Sequence, residues 1–115
     1  MTRVKRGIVT KKRHKRLLSK TKGFWGQRKN IFRRAKETLM RAMAFATKGR
    51  KLKKRNMRGL FIERISAAAK ANGISYSKLM HGLNVAQVQL NRKMLSQLAI
   101  FEPKAFAQLV EIAKG

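Results

Sequence analysis

Between residues 1 and 58 the chain carries 23 lysines and arginines against a single acid, Glu37. Nothing within that segment can neutralise it. Compaction would press like charges together, and such self-repulsion opposes a closed globule. The segment must stay open or be ordered by a polyanion. Residues 59–115 are different, with seven basic and three acidic residues contributing +4 of the total +26. Apolar residues follow the opposite trend, 20 in the first 58 positions and 30 in the last 57. Only the second part has the composition of a packed core, and a chain of 115 residues supports one such core at most. The expected division is a basic extension over 1–58 and a compact domain over 59–115.

Several classes fall away on inventory. The longest uninterrupted apolar run is Ala42-Met43-Ala44-Phe45-Ala46, where a membrane-spanning helix needs about 20 residues. Lys and Arg recur through the region where a signal peptide would need its apolar stretch, and Ser19 is the single serine of the first 30 residues, against the Ser-rich composition of transit peptides. With no cysteine, disulfides and thiolate chemistry are excluded. The four acids Glu37, Glu63, Glu102 and Glu111 are dispersed, no glycine-rich phosphate loop is present, and His14 and His81 alone give no metal-ligand spacing. No enzyme, cofactor, metal or small-molecule substrate is expected.

Local patterns read as helix throughout. In the first 23 residues basic clusters alternate with small breaks, and Thr10 is the expected cap of a short helix over Lys11 to Lys20 once its charge is neutralised. From Asn30, read as an N-cap, Ile31, Ala35, Leu39, Ala42 and Ala46 recur at helical steps. Residues 48–55 are basic except at Gly49 and Leu52, and with no proline the helix is expected to continue through them to about residue 72, where Asn72-Gly73 stops it. Gly49 and Gly59 each weaken it by about 1 kcal/mol relative to Ala. Phe61, Ile65, Ala68 and Ala69 form an apolar stripe near its end. A short helix follows Ser75 or Ser77. Asn91 caps a helix from Arg92 to Phe101 with Met94, Leu95, Leu98 and Ala99 on one face, and Pro103 opens a last helix carrying Phe106, Leu109, Val110 and Ala113. No stretch alternates with period two. The fold class is all-α: a long basic N-terminal helical extension followed by a small compact helical domain.

The chemistry that is present is phosphate binding. Each cation that meets a phosphate releases condensed counterions, so affinity is high and falls steeply with salt. Arginine engages phosphate bidentately and stacks on bases, whereas lysine acts as a point charge. Arg3, Arg6, Arg13, Arg16, Arg28, Arg33 and Arg34 are therefore the expected geometric contacts. Lys5, Lys11, Lys12, Lys15, Lys20, Lys22 and Lys29 mainly neutralise, and His14, within the basic run, is read as solvated or phosphate-facing, with His81 structural. The candidate site extends along the helix to Lys51, Lys54, Arg55 and Arg58. Phe24 and Trp25, held between Gly23 and Gly26, have two readings, rings that stack on a base or anchors against the next helix. Charge alone does not separate RNA from DNA. A nucleoid DNA-compacting protein is the alternative, although a helix-turn-helix after Gly73 would carry only Arg92 and Lys93 on its recognition helix, which suits core packing better.

The residues also resemble a specific family, the bacterial and organellar large-subunit ribosomal protein numbered twenty. The resemblance rests on Arg3-Val4-Lys5-Arg6-Gly7, His14-Lys15, Lys22-Gly23-Phe24 with Gly26, and Lys54-Arg55 with Arg58. It continues through Leu60, Ile62, Arg64-Ile65, Ala67-Ala68-Ala69, Asn72 to Lys78, Gly82-Leu83 and Arg92-Lys93. It implies a helical extension threading between large-subunit ribosomal RNA segments, a compact domain at the RNA surface, a part in early subunit assembly, and other large-subunit ribosomal proteins as neighbours. No homo-oligomer is expected. The location implied is the ribosome of a bacterial cytoplasm, or of a plastid or mitochondrion. Lys48-Gly49-Arg50 and Met57-Arg58-Gly59-Leu60-Phe61 depart from the family's usual Arg-Asp-Arg and Phe-Arg-x-Leu-Trp, which makes residues 48–61 the least secure part of the correspondence.

Overall fold

The computed structural model describes Arg3 and residues 5–115; Val4 of the first family motif lies outside the described residues. The secondary structure consists of helices α1 (Gly7–Lys20), α2 (Phe32–Ala71), α3 (Tyr76–Val85), α4 (Arg92–Phe101) and α5 (Pro103–Lys114), with a short 3-10 turn at Gly26–Arg28. No strand occurs among the described residues. The chain divides into two compact units, Met1–Arg50 and Lys51–Gly115, and α2 contributes residues to both.

Among the described residues of the first unit only Ala35 and Thr21 are fully buried. The apolar stripe of α2 is covered at Ala35, half-covered at Leu39 and Ala42, and open at Ile31 and Ala46. The ring of His14 on α1 stacks on Phe32 with centroids 3.9 Å apart and planes 23° from parallel. This differs from the solvated state read from its basic surroundings: with so few large side chains nearby, the imidazole serves as a packing ring. Helix α1 also begins earlier than Thr10 suggested. The Arg6 carbonyl accepts both the Thr10 amide (3.2 Å) and its hydroxyl (3.1 Å), so Thr10 lies inside the first turn and bonds backward instead of capping. Helix α2 likewise starts at Phe32 instead of directly after Asn30. The amides of Asn30 and Ile31 both go to the Gln27 carbonyl, at 3.2 and 2.9 Å, which closes a separate turn before the helix can open. Once started, α2 runs without interruption through Gly49 and Gly59.

The second unit holds the apolar core. Ile65 and Ala69 of α2, Ile74, Leu79 and Leu83 of and before α3, Leu95 of α4, and Phe106 and Val110 of α5 form one buried cluster. Its boundaries are set by capping. Helix α2 ends in a Schellman motif, with Ile74 N–H bonded to Ala69 O and Gly73 N–H to Lys70 O, both at 3.0 Å, and Ala69 and Ile74 themselves packed in the core. Ser75 accepts the Lys78 amide at the start of α3, and Asn91 accepts the Met94 amide at 2.9 Å at the start of α4. Pro103 occupies the first turn of α5. Phe106 and Val110 are buried as their spacing predicts, and on α4 Leu95 is buried with Leu98 and Ala99 packed against the core, whereas Met94 is 47% exposed and Ser96 takes an inward position instead. Ser96 is accommodated because its hydroxyl donates to the Lys93 carbonyl at 3.1 Å. Helices α3 and α5 approach closely at Gly82, where an added Cβ would lie on the backbone of Ala113.

Candidate nucleic-acid interface

Phe24 and Trp25 occupy the connection between α1 and α2, and its shape depends on two glycines. The Phe24 amide bonds to the Thr21 carbonyl at 3.1 Å with Gly23 at φ +84°, and the Arg28 amide bonds to the Trp25 carbonyl at 3.3 Å across Gly26 at φ +59°. Side-chain-bearing residues rarely adopt either conformation. The two readings of the aromatic pair divide between the two rings: Phe24 is half-buried and Trp25 is 89% exposed.

Trp25 opens onto a groove of about 840 Å³ lined by Phe24, Trp25 and Arg28 from the connection and by Arg33, Arg34, Glu37, Thr38, Arg41, Ala42 and Phe45 from α2. Four arginines and three rings thus share one concavity. Arg28, Arg33 and Arg34, all expected contacts, line this groove together. Arg41 and Phe45 escaped the sequence reading. Positions 34, 38, 41, 42 and 45 share one helical face, and that spacing is the sequence signal for them, overlapping the apolar stripe at Ala42.

The remaining expected contacts of the first unit are distributed differently. Arg3, Lys5, Arg6, Lys11, Lys12, Arg13, Lys15, Arg16, Lys20, Lys22 and Lys29 are all exposed, and none lines the groove. They form a charged surface along α1 and its flanks instead of a pocket.

Every residue from 43 to 59 on α2 is exposed. Lys48, Arg50, Lys51, Lys53, Lys54, Arg55 and Arg58 follow at about 100° per residue and cover about two-thirds of the helix circumference. A ligand lying on one side would leave most of them facing water. The second unit carries a further basic concavity, about 410 Å³, lined by Lys54, Arg55, Arg58, Phe61, Asn91, Arg92 and Lys93. Arg92 is held there by a hydrogen bond from its Nε to the Tyr76 hydroxyl at 2.9 Å. No local pattern links Arg92 and Lys93 to Arg58; the helical topology alone brings them to one groove.

Electrostatically these surfaces are uncompensated. Among the described residues the one ion pair is Lys114 with Glu111, at 2.9 Å on the exposed end of α5. No helix among them is long and apolar enough to cross a membrane, and no cluster of three potential metal-ligating side chains is assembled. His81 is exposed on α3.

The chain is similar over nearly its whole length to proteins of one kind. The large ribosomal subunit protein bL20 of Clostridium novyi (strain NT) is 55% identical over 114 residues, covering 99% of this chain and 96% of the relative. Proteins of the same description from Caldanaerobacter subterraneus subsp. tengcongensis and Clostridium tetani are 53% and 52% identical over the same shares. None of these relatives supports the DNA-compacting alternative. The family model of ribosomal protein L20 matches residues 3–109, and the chain belongs to that family.

Proposed function

We propose that the protein is a structural constituent of the large ribosomal subunit that binds large-subunit ribosomal RNA and supports early subunit assembly. The family is structural and not catalytic. The observation that carries the reading is the near absence of internal charge compensation: 30 Lys and Arg are present, and one of them, Lys114, is ion-paired among the described residues. A chain so composed lowers its free energy by exchanging counterions for phosphates. Cations around most of the α2 circumference favour RNA that approaches from more than one side. The Trp25 groove supports stacking of an unpaired base, which single-stranded or bulged RNA presents and a regular duplex does not.

The two parts have separate duties in this account. Residues 1–58 are the RNA-threading extension, ordered by its partner, and residues 59–115 fold by apolar packing. A cooperative thermal transition in isolated 1–58 without RNA would contradict that division. Neighbouring large-subunit ribosomal proteins are the expected protein contacts. The bacterial origin of the relatives favours a bacterial cytoplasm over an organelle interior. Sedimentation from lysate in moderate salt tests the whole reading: the protein is expected with large ribosomal subunits, and recovery with nucleoid DNA instead would overturn it.

A further inference from the structure

Glu37 is the one acid in the first 58 residues, and it lies in the Trp25 groove among Arg28, Arg33, Arg34 and Arg41. Arg33, Arg34 and Arg41 stand four and three residues before it and four after, the spacings at which helical ion pairs form. No such pair is made: among the described residues Glu37 has no Lys, Arg or His nitrogen within ion-pair distance. It is exposed on α2, so a helical pair there would contribute only about 0.3–0.5 kcal/mol, and little opposes a different partner. Toward phosphates, a carboxylate at this position is unfavourable. Toward a base it is an acceptor with two oxygens and no donor.

The shape of that acceptor selects among the bases. Guanine alone presents two adjacent donors on its Watson–Crick edge, N1–H and the N2 amine, and they match the two carboxylate oxygens in the parallel geometry that makes such pairs strong. Adenine and cytosine place a ring acceptor beside their single amine, and uracil flanks its N3–H with carbonyl oxygens. Those arrangements set a lone pair against a carboxylate oxygen. Trp25, 89% exposed on the same groove, offers a face on which the base can stack. The flanking arginines suit the phosphates on either side.

We infer that the Trp25 groove is a subsite for one unpaired guanine, with Glu37 accepting from N1–H and N2–H and Trp25 stacking on the ring. The inference rests on the RNA-binding reading of the groove and adds base specificity to it. Trp25 is the single tryptophan of the chain, so its fluorescence reports occupancy directly. The test uses the full chain, wild type and Glu37→Gln, titrated with oligouridylates carrying one central guanine, adenine, cytosine or inosine. Glutamine offers one acceptor and one donor, so it cannot take both guanine protons.

Wild type is expected to bind the guanine oligomer about tenfold more tightly than the adenine or cytosine oligomer, with inosine, which lacks the N2 amine, between them. Glu37→Gln is expected to reduce that preference to within about twofold, chiefly by weakening the guanine oligomer, while the adenine and cytosine oligomers bind at least as tightly because a negative charge has left a phosphate-facing groove. Quenching of Trp25 by all four oligomers with no preference in wild type overturns the guanine subsite and leaves RNA binding intact. Guanine preference that survives Glu37→Gln also overturns it. Absence of any binding or quenching overturns the RNA-binding reading itself, and the subsite with it.

Discussion

Three helical glycines are expected to respond to the same substitution with opposite signs, and Gly82 is the informative one. In α3 a Cβ at residue 82 would meet the carbonyl oxygen, carbonyl carbon and Cα of Ala113, all backbone atoms of α5. A flexible side chain could swing aside; a packed helix backbone cannot. Gly82→Ala therefore forces α3 and α5 apart or peels the last turn of α5 away, loosening the packing of Ala113 and of Val110, which is fully buried. Overpacking of this kind costs about 1–3 kcal/mol, and backbone contact puts the expected value near the middle or above. For a unit the size of residues 51–115, each kcal/mol moves the midpoint by about 4–8 °C. Calorimetry of the RNA-free protein should show Tm lower by about 8–16 °C for a cost of about 2 kcal/mol. Gly49 and Gly59 have nothing within 4 Å of an added Cβ. Gly59→Ala, which lies in the same unit, gains about 0.5–1 kcal/mol from helix propensity and raises Tm. A Gly82→Ala protein that melts at or above the wild-type temperature would refute the close α3–α5 approach. A Gly59→Ala protein that melts lower would refute the open, regular helix at that position.

Trp25→Ala should weaken single-stranded RNA binding by about 1–3 kcal/mol per stacked base, yet leave the thermal midpoint unchanged, because the ring is almost fully exposed; parallel filter binding and calorimetry separate the two effects. Tyr76→Phe removes the acceptor of the 2.9 Å bond from Arg92 and should lower stability by about 1 kcal/mol, read by urea denaturation; no change would mean that the hydroxyl does not hold Arg92. Gln87 closes α3 with φ +57°, and its neighbours complete the Schellman pattern, Val88 N–H to Leu83 O and Gln87 N–H to Asn84 O. Gln87→Gly should therefore stabilise the protein by a few tenths to about 1 kcal/mol in the same assay, and destabilisation would argue against the left-handed cap.

The parts of the fold legible in the sequence are those fixed by short-range rules. The Asn72-Gly73 stop, the Asn91 cap, Pro103 in the first turn and the Phe106/Val110 stripe each depend on neighbours within a turn or two, and each stands where its pattern indicates. Thr10 and Asn30 misled for a related reason. Both residue types are good caps, but here the carbonyls of Arg6 and Gln27 draw the local amides into other turns. Ser96 was invisible as a core residue because its burial depends on a bond to its own helix backbone, at Lys93. At the site, charge revealed the arginines of the first unit, whereas Arg92 and Lys93 join Arg58 only through tertiary folding. His14 shows the limit of composition most plainly: its sequence neighbours are cations, but its spatial neighbour is Phe32.

The central claim is that the unpaired cations of the extension are engaged by ribosomal RNA phosphates. The salt dependence of binding between the full protein and large-subunit ribosomal RNA tests it most directly. If about ten phosphates are neutralised, the plot of log affinity against log salt should fall with a slope of about −7 to −9, between the single-strand and duplex limits. A slope shallower than about −3 would mean that only a few cations meet phosphate, and it would contradict the account.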